Sequence, residues 1–138
     1  METMVKEGSA KLKIPKSEKI SKGMGVFYNP AMNMNRDISV LLLNSINKKN
    51  LQIADPLAAT GVRSIRFLKE LSKNKIKKIY INDCSKDAIY LIKQNLALNK
   101  IKYKNSRMRV SSEFAKARFR SLMSPNSLTI DGFFFLSP

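Results

Sequence analysis

The sequence predicts an α/β fold carried by a parallel, doubly wound sheet, with a short β arm in front of it. Short apolar runs that end in an acid alternate with longer segments of helical spacing, in units of about 25–30 residues. The chain has 138 residues, 43% of them hydrophobic. That suits one domain able to bury a sizeable core.

Leu51-Gln-Ile-Ala54 closes on Asp55 and reads as a buried strand. Val62, Ile65, Leu68 and Leu71 then recur at helical spacing, so residues 61–72 form a helix. Ile79-Tyr-Ile81 is a second buried strand, ending at Asn82-Asp83. Ser85 caps the next helix, with Asp87 in its first turn and Ala88, Ile92, Asn95, Leu96 and Asn99 along one side. Ahead of these elements, residues 5–20 read as a hairpin or extended arm with a turn at Gly8-Ser9. Phe27-Tyr28-Asn29 lies in a loop bracketed by Gly23, Gly25 and Pro30. Asn35 is the expected N-cap of an amphipathic helix over 36–47, with Asp37 in its first turn and Ile38, Leu41, Leu42 and Ile46 as its apolar face. Beyond Asn99 the pattern weakens. Met108-Arg-Val110 reads as a third strand, and Leu128-Thr-Ile130 with Phe133-Phe-Phe135 as a fourth.

Composition removes several chemistries. With no His, no Ser-His-Asp or Cys-His nucleophile is available, and most zinc sites are excluded. A lone Cys84 forms no internal disulfide, which points to a reducing compartment. No apolar run approaches the roughly 20 residues that span a bilayer, and the N-terminus reads as carrying no signal peptide. The net charge of +16 favours a polyanionic partner, or else reflects a Lys-rich solvated surface. Eight basic residues against one acid, Glu113, between Lys100 and Arg120 tilt the balance toward the partner.

In open α/β sheets ligands sit beyond the carboxyl ends of the strands, and here both strand ends carry an acid, Asp55 and Asp83. The turn Asp55-Pro-Leu-Ala-Ala-Thr-Gly61 opens a helix whose first turn holds Arg63 and no acid. Gly61 lets the backbone approach a ligand closely, and the helix end favours an anionic group. Asp83, 28 positions after Asp55, is placed to accept from ribose hydroxyls. Neither G-x-G-x-x-G nor a P-loop is present. A nucleoside with an amino-acid tail and no pyrophosphate therefore fits better, and S-adenosylmethionine is such a molecule. The competing reading is that Asp55 and Asp83 merely cap loops.

Phe27-Tyr-Asn-Pro30, Asn35-Arg36-Asp37-Ile38, the run Asp55 to Phe67, Asn82-Asp83 and Asn95…Leu98-Asn99 together resemble the tRNA guanine-26 N2-dimethyltransferases, which are class I S-adenosylmethionine-dependent enzymes. The resemblance covers about Val5 to Asn99. It implies a Rossmann-like methyltransferase domain, incomplete here, that methylates the exocyclic N2 of a guanosine in tRNA. Cofactor contacts are then Arg36 (methionine carboxylate), Asp55, Thr60, Gly61, Arg63 and Asp83 (ribose). Phe27 resembles the aromatic that stacks on the target guanine. In the family a D-P-F-G element supplies the catalytic carboxylate and a second aromatic; Asp131 and Phe133 keep only its D-x-F outline. The acid that would meet the adenine has no match, Glu113 being nearest.

The expected organisation is an arm and F-Y-N-P loop over 1–35 and a partial methyltransferase domain over 36–138. The stretch 100–138 departs from the family, no C-terminal tRNA-binding domain follows, and the chain reads as a truncated form. Expected partners are S-adenosylmethionine and tRNA, with no metal and no membrane, a monomer by default, in the cytoplasm or a eukaryotic nucleus. The alternative is a non-catalytic basic RNA-binding module on a degenerate methyltransferase scaffold.

Overall fold

The computed structural model describes residues 2–15, 25–103, 106–112 and 133–135. Strands β1 (Glu2–Glu7) and β2 (Ala10–Pro15) form an antiparallel hairpin. Helix α1 (Asn33–Ser45) follows a 3-10 turn at Pro30–Met32. Then β3 (Leu51–Asp55), α2 (Val62–Glu70), β4 (Ile76–Asn82), α3 (Lys86–Leu98) and β5 (Met108–Ser111) alternate as expected, and β6 spans Phe133–Phe135. Expected and observed elements differ by a few residues at their ends, where fraying and capping decide the boundary.

The sheet is parallel throughout, in the order β5-β4-β3-β6. Asp55 lies opposite Ile81 and Ile53 opposite both Ile79 and Phe134. The chain winds outward from β3 through β4 to β5, and β6 lies on the other side of β3. That reversal opens a crevice at the carboxyl end of β3, the place where doubly wound sheets bind ligands. The Leu128–Ile130 strand expected from the sequence lies outside the described residues.

One hydrophobic core joins sheet, helices and arm. Leu51, Ile53, Ile79 and Ile81 pack with Ile65 and Phe67 of α2, Ile92 and Leu96 of α3, and Ala10 and Leu12 of β2. Each of these leucine, isoleucine and phenylalanine side chains removed from water contributes about 1.5–3 kcal/mol. The hairpin is also tied by side-chain amides. Asn95 accepts from the Lys13 amide at 2.7 Å and donates to its carbonyl at 3.1 Å. One turn on, Asn99 does the same to Lys11, at 3.0 and 2.6 Å. Four helical residues rise about 6 Å and two strand residues about 6.8 Å. The two Asn side chains therefore serve the edge of β2 as a neighbouring strand would.

Helix α1 corrects the sequence reading. It begins at Asn33 with Met32 as cap and no side-chain capping bond, so Asn35 is not the N-cap and the first turn holds no acid. Asn29 caps the preceding 3-10 turn instead, accepting from the Ala31 amide at 2.9 Å. Of the expected apolar face, Ile38, Leu41 and Leu42 are exposed, while Arg36, Ser39, Val40 and Leu43 turn inward. The inward face puts Val40 and Leu43 into the core, with Ile46 packed against it, and brings the Arg36 guanidinium to a buried carboxylate. Among the described residues no helix is long and apolar enough to cross a membrane.

Candidate functional site

The turn after β3 is where local sequence shapes the site. Gly61 caps α2 with φ +75°, and Ala59 holds φ +48° two residues earlier. Left-handed backbone is costly for Ala, and a carboxylate supports it here. Asp83 Oδ2 accepts from the Ala59 amide at 2.8 Å, while Oδ1 accepts from the Ser85 amide at 2.9 Å. Asn82 adds two ties, its carbonyl accepting from the Ala58 amide (2.9 Å) and its side chain donating to the Pro56 carbonyl (3.2 Å).

A cleft of about 50 Å³ opens beside this turn, and Phe27, Tyr28, Arg36, Asp55, Thr60 and Arg63 are among its walls. Asp55 is buried and accepts from the Ser64 hydroxyl at 2.7 Å. Burial pushes its carboxyl up, against the Ser64 hydrogen bond and the Arg63 charge, which stabilise the anion. Burial lowers the Arg63 value, with Asp55 opposing it; Arg63 also donates to Asn35 at 3.0 Å. The buried Thr60 hydroxyl has no hydrogen-bond partner among the described residues. Phe27 is 43% exposed on the wall of the cleft.

The structure thus gathers five of the expected residues, Phe27, Arg36, Asp55, Thr60 and Arg63, around one cleft. Gly61 lies next to its wall, as the cap of α2. Asp83 is one hydrogen bond away through Ala59 rather than on the wall; its oxygens retain lone pairs for further donors. Phe133 pairs across from Gln52 in β6. Asp131 and Glu113 lie outside the described residues.

Sequence reasoning missed Glu7. This side chain, 3% exposed, accepts from Arg36 Nε and Nη2 at 2.6 Å each, from the Tyr28 hydroxyl at 3.0 Å and from Arg66 Nη1 at 3.2 Å. Burial works to raise its pKa, but Arg36 first, then Tyr28 and Arg66, outweigh it and hold the carboxyl below its usual range. Burial and the Glu7 hydrogen bond push the Tyr28 phenol up to about 12, so it stays a donor. Arg66 also pairs with Asp37 (2.6 Å) and Glu70 (2.9 Å). The turn residue Gly8, at φ +52°, lies against this cluster, and a Cβ there would run into Glu70 and Arg66. One signal for Glu7 was available: strand alternation puts it on the same face as Val5, which faces the core.

A larger cavity, about 300 Å³, lies at the amino ends of the strands, near Lys73, Lys75, Lys77 and Met108. It has no carboxylate on its walls, and Lys75 is engaged by the Asn44 and Ile46 carbonyls. Its position and chemistry both set it apart from the cleft.

A doubly wound sheet with an acid at the tip of its central strand and arginines around the adjoining cleft defines a Rossmann-like domain of the class I methyltransferase type. The tRNA m1G37 methyltransferase of M. jannaschii has the same fold, with TM-score 0.55 and 26% identity over 80% of this chain and 30% of its own. More particularly, residues 8–129 match the model of the N2,N2-dimethylguanosine tRNA methyltransferase family, and the chain belongs to that family. The tRNA (guanine(26)-N(2)/guanine(27)-N(2))-dimethyltransferase of Aquifex aeolicus is 47% identical over 102 residues, 71% of this chain and 26% of that protein. The tRNA (guanine(26)-N(2))-dimethyltransferase of Pyrococcus horikoshii is 48% identical over 95 residues, 69% and 23% of the two chains. The structure of Trm1 from Pyrococcus horikoshii with S-adenosyl-L-methionine gives TM-score 0.60 and 45% identity over 70% of this chain and 24% of its own. The chain spans about a quarter of the length of the curated relatives it matches.

Proposed function

We propose that this chain is the cofactor-binding part of a tRNA guanosine N2-methyltransferase that uses S-adenosylmethionine. The observation that carries the reading is the cleft at the tip of β3, whose walls hold the buried Asp55 carboxylate, the unpartnered Thr60 hydroxyl and two arginines, Arg36 and Arg63. These groups fit the cofactor's amino-acid end. Asp55 would hold its ammonium, Thr60 would hydrogen-bond beside it, and Arg36 and Arg63 would take its carboxylate. Gly61 lets the backbone come close, and Asp83 would accept from the ribose hydroxyls. When bound, the cofactor supplies an electrophilic methyl group.

The guanine 2-amino group is a poor nucleophile because its lone pair is delocalised into the ring. The protein's task is therefore alignment and proton acceptance. Phe27 would stack on the extruded base, Asp131 would accept the proton, and Phe133 would supply a second ring. On this reading residues 1–35 are an arm with the base-stacking loop and 36–138 the methyltransferase part, working on tRNA in a reducing, cytoplasmic compartment.

Calorimetry with S-adenosylmethionine tests the reading, with Asp83→Ala expected to weaken binding. No binding by the unaltered chain sinks it. Transfer of label from a radioactive methyl donor to tRNA is a separate measurement, and little is expected from 138 residues alone. A second reading, a basic RNA-binding module without methyl transfer, draws on the +16 charge. It requires steeply salt-dependent RNA binding indifferent to Asp83→Ala and to added cofactor.

A further inference from the structure

Arg36 is built into the site in an unusual way. Its Nε and Nη2 are spent on Glu7, with Nη2 also donating to the Asn29 carbonyl at 3.1 Å, and Nη1 is the nitrogen these bonds leave over. The guanidinium stacks over the Tyr28 ring, 5.4 Å from its centroid. The Tyr28 hydroxyl returns to the same Glu7 carboxylate. Both Arg36 and Tyr28 line the cleft, whereas Glu7 comes from the first strand of the arm and does not. A single buried carboxylate therefore fixes two walls of the cleft from outside it, and does so only when the hairpin is docked.

We propose that Glu7 is a positioning residue for the ligand's carboxylate: by engaging Nε and Nη2 it fixes the Arg36 guanidinium on the cleft wall and leaves Nη1 for the ligand, and so makes docking of the arm a condition of tight cofactor binding. This rests on the function proposed above. Two effects oppose each other when the Glu7 charge is removed. Arg36 loses an anion that competes with the ligand, which strengthens binding, and it loses its fixed orientation, which weakens it. The bidentate geometry, with a third acceptor at Asn29 and a ring beneath, makes orientation the larger effect. A Gln at this position offers one acceptor and one donor, and the donor faces guanidinium N–H groups.

The test compares two ligands by calorimetry on the full chain: S-adenosylmethionine, and 5′-deoxy-5′-methylthioadenosine, which keeps the adenosine and methylthio groups and lacks the amino-acid tail. Glu7→Gln is expected to weaken S-adenosylmethionine by about tenfold or more while leaving the tailless ligand within about twofold. A purely structural role for Glu7 moves both ligands alike, and that result overturns the proposal, as does unchanged or tighter S-adenosylmethionine binding. If Glu7→Gln gives no cooperative melt, Glu7→Asp decides by the same comparison. It keeps the charge on a shorter arm, and a loss confined to S-adenosylmethionine is again required. Failure of the unaltered chain to bind either ligand removes the proposed function itself, whereas the other adverse results remove only the role of Glu7.

Discussion

Replacing Asn95 with Ala isolates the device that docks the arm. The Asn95 side chain is fully buried and makes three hydrogen bonds: from the Lys13 amide, to the Lys13 carbonyl, and to the Thr60 carbonyl at 2.9 Å. At about 1 kcal/mol net per bond, Asn95→Ala should cost ~3 kcal/mol. In a domain of this size that lowers Tm by roughly 10 °C. Asn99→Ala is the comparison: besides one part-buried bond to the Asn95 carbonyl, it removes three surface partners, the Lys11 amide and carbonyl and the Lys69 ammonium. Water replaces those partners, so the cost should stay below about 1 kcal/mol. Asn95→Asp sharpens the comparison, since an anion would face two carbonyl oxygens that now receive N–H groups. It should be at least as damaging as Ala at neutral pH and partly recover on acidification, as the protonated carboxyl regains a donor. Thermal melts followed by circular dichroism, with amide exchange at Lys13 as a local probe, give all three values. Equal losses for Asn95→Ala and Asn99→Ala would refute the idea that the buried amide, rather than packing alone, secures the hairpin.

Three further outcomes follow from the charges and the turn. Burial raises the folded pKa of Asp55, so its neutral form suits the fold, and stability falls as pH climbs from its ordinary 3.8 through the raised value. Asp55→Asn should therefore raise the melting temperature of the ligand-free protein at pH 7, leave it nearly unchanged near pH 3, and abolish cofactor binding; a lower Tm at pH 7 contradicts this. Glu7 has the opposite sign. Its folded pKa is depressed, so its stabilisation is present above the ordinary 4.5 and is lost as pH falls through the lower folded value. Glu7→Gln should cost about 3–5 kcal/mol at pH 7 by taking the carboxylate from buried Arg36 and one of three from Arg66, and the gap in urea midpoint from wild type should narrow as pH falls below 4.5. Gly61→Ala places a Cβ 3.2 Å from Ile92 Cγ1 at φ +75°. It should cost about 1–2 kcal/mol in denaturant melts, and an unchanged midpoint would refute the need for glycine at this left-handed cap.

The readable parts of this molecule were those encoded within a few residues of one another. Ser85 caps α3, accepting from the Ala88 amide at 3.3 Å, and Asp87 sits in its first turn, as the sequence indicates. Gly61 takes the left-handed conformation that its place before a helix suggests. Asp55 and Asp83 close their strands, so the cleft could be located before any coordinate was known. What could not be read was long-range. Glu7 meets Arg36 across 29 positions and Arg66 across 59, and no local pattern announces an ion pair between a strand and two helices. The apolar spacing of Ile38, Leu41 and Leu42 was genuine, yet α1 turns inward the face that carries Val40 and Leu43 together with the long-range Arg36–Glu7 pair.

That competition also separates structural from functional groups inside the site. A buried charge or polar atom is costly unless the protein itself meets its needs. Glu7 is met by two arginines and a phenol, Arg66 by three carboxylates, and Asn95 by three backbone groups. Their demands are closed within the fold, and removing any of them should harm the ligand-free protein first. Asp55 and Thr60 are different: burial weighs against the Asp55 anion beyond what Ser64 and Arg63 return, and the Thr60 hydroxyl has no partner among the described residues. Both line the cleft at the tip of β3, where the proposed ligand would complete them. Arg36 has both characters, closed on Glu7 yet lining the cleft, so a residue in the arm sets the shape of that wall.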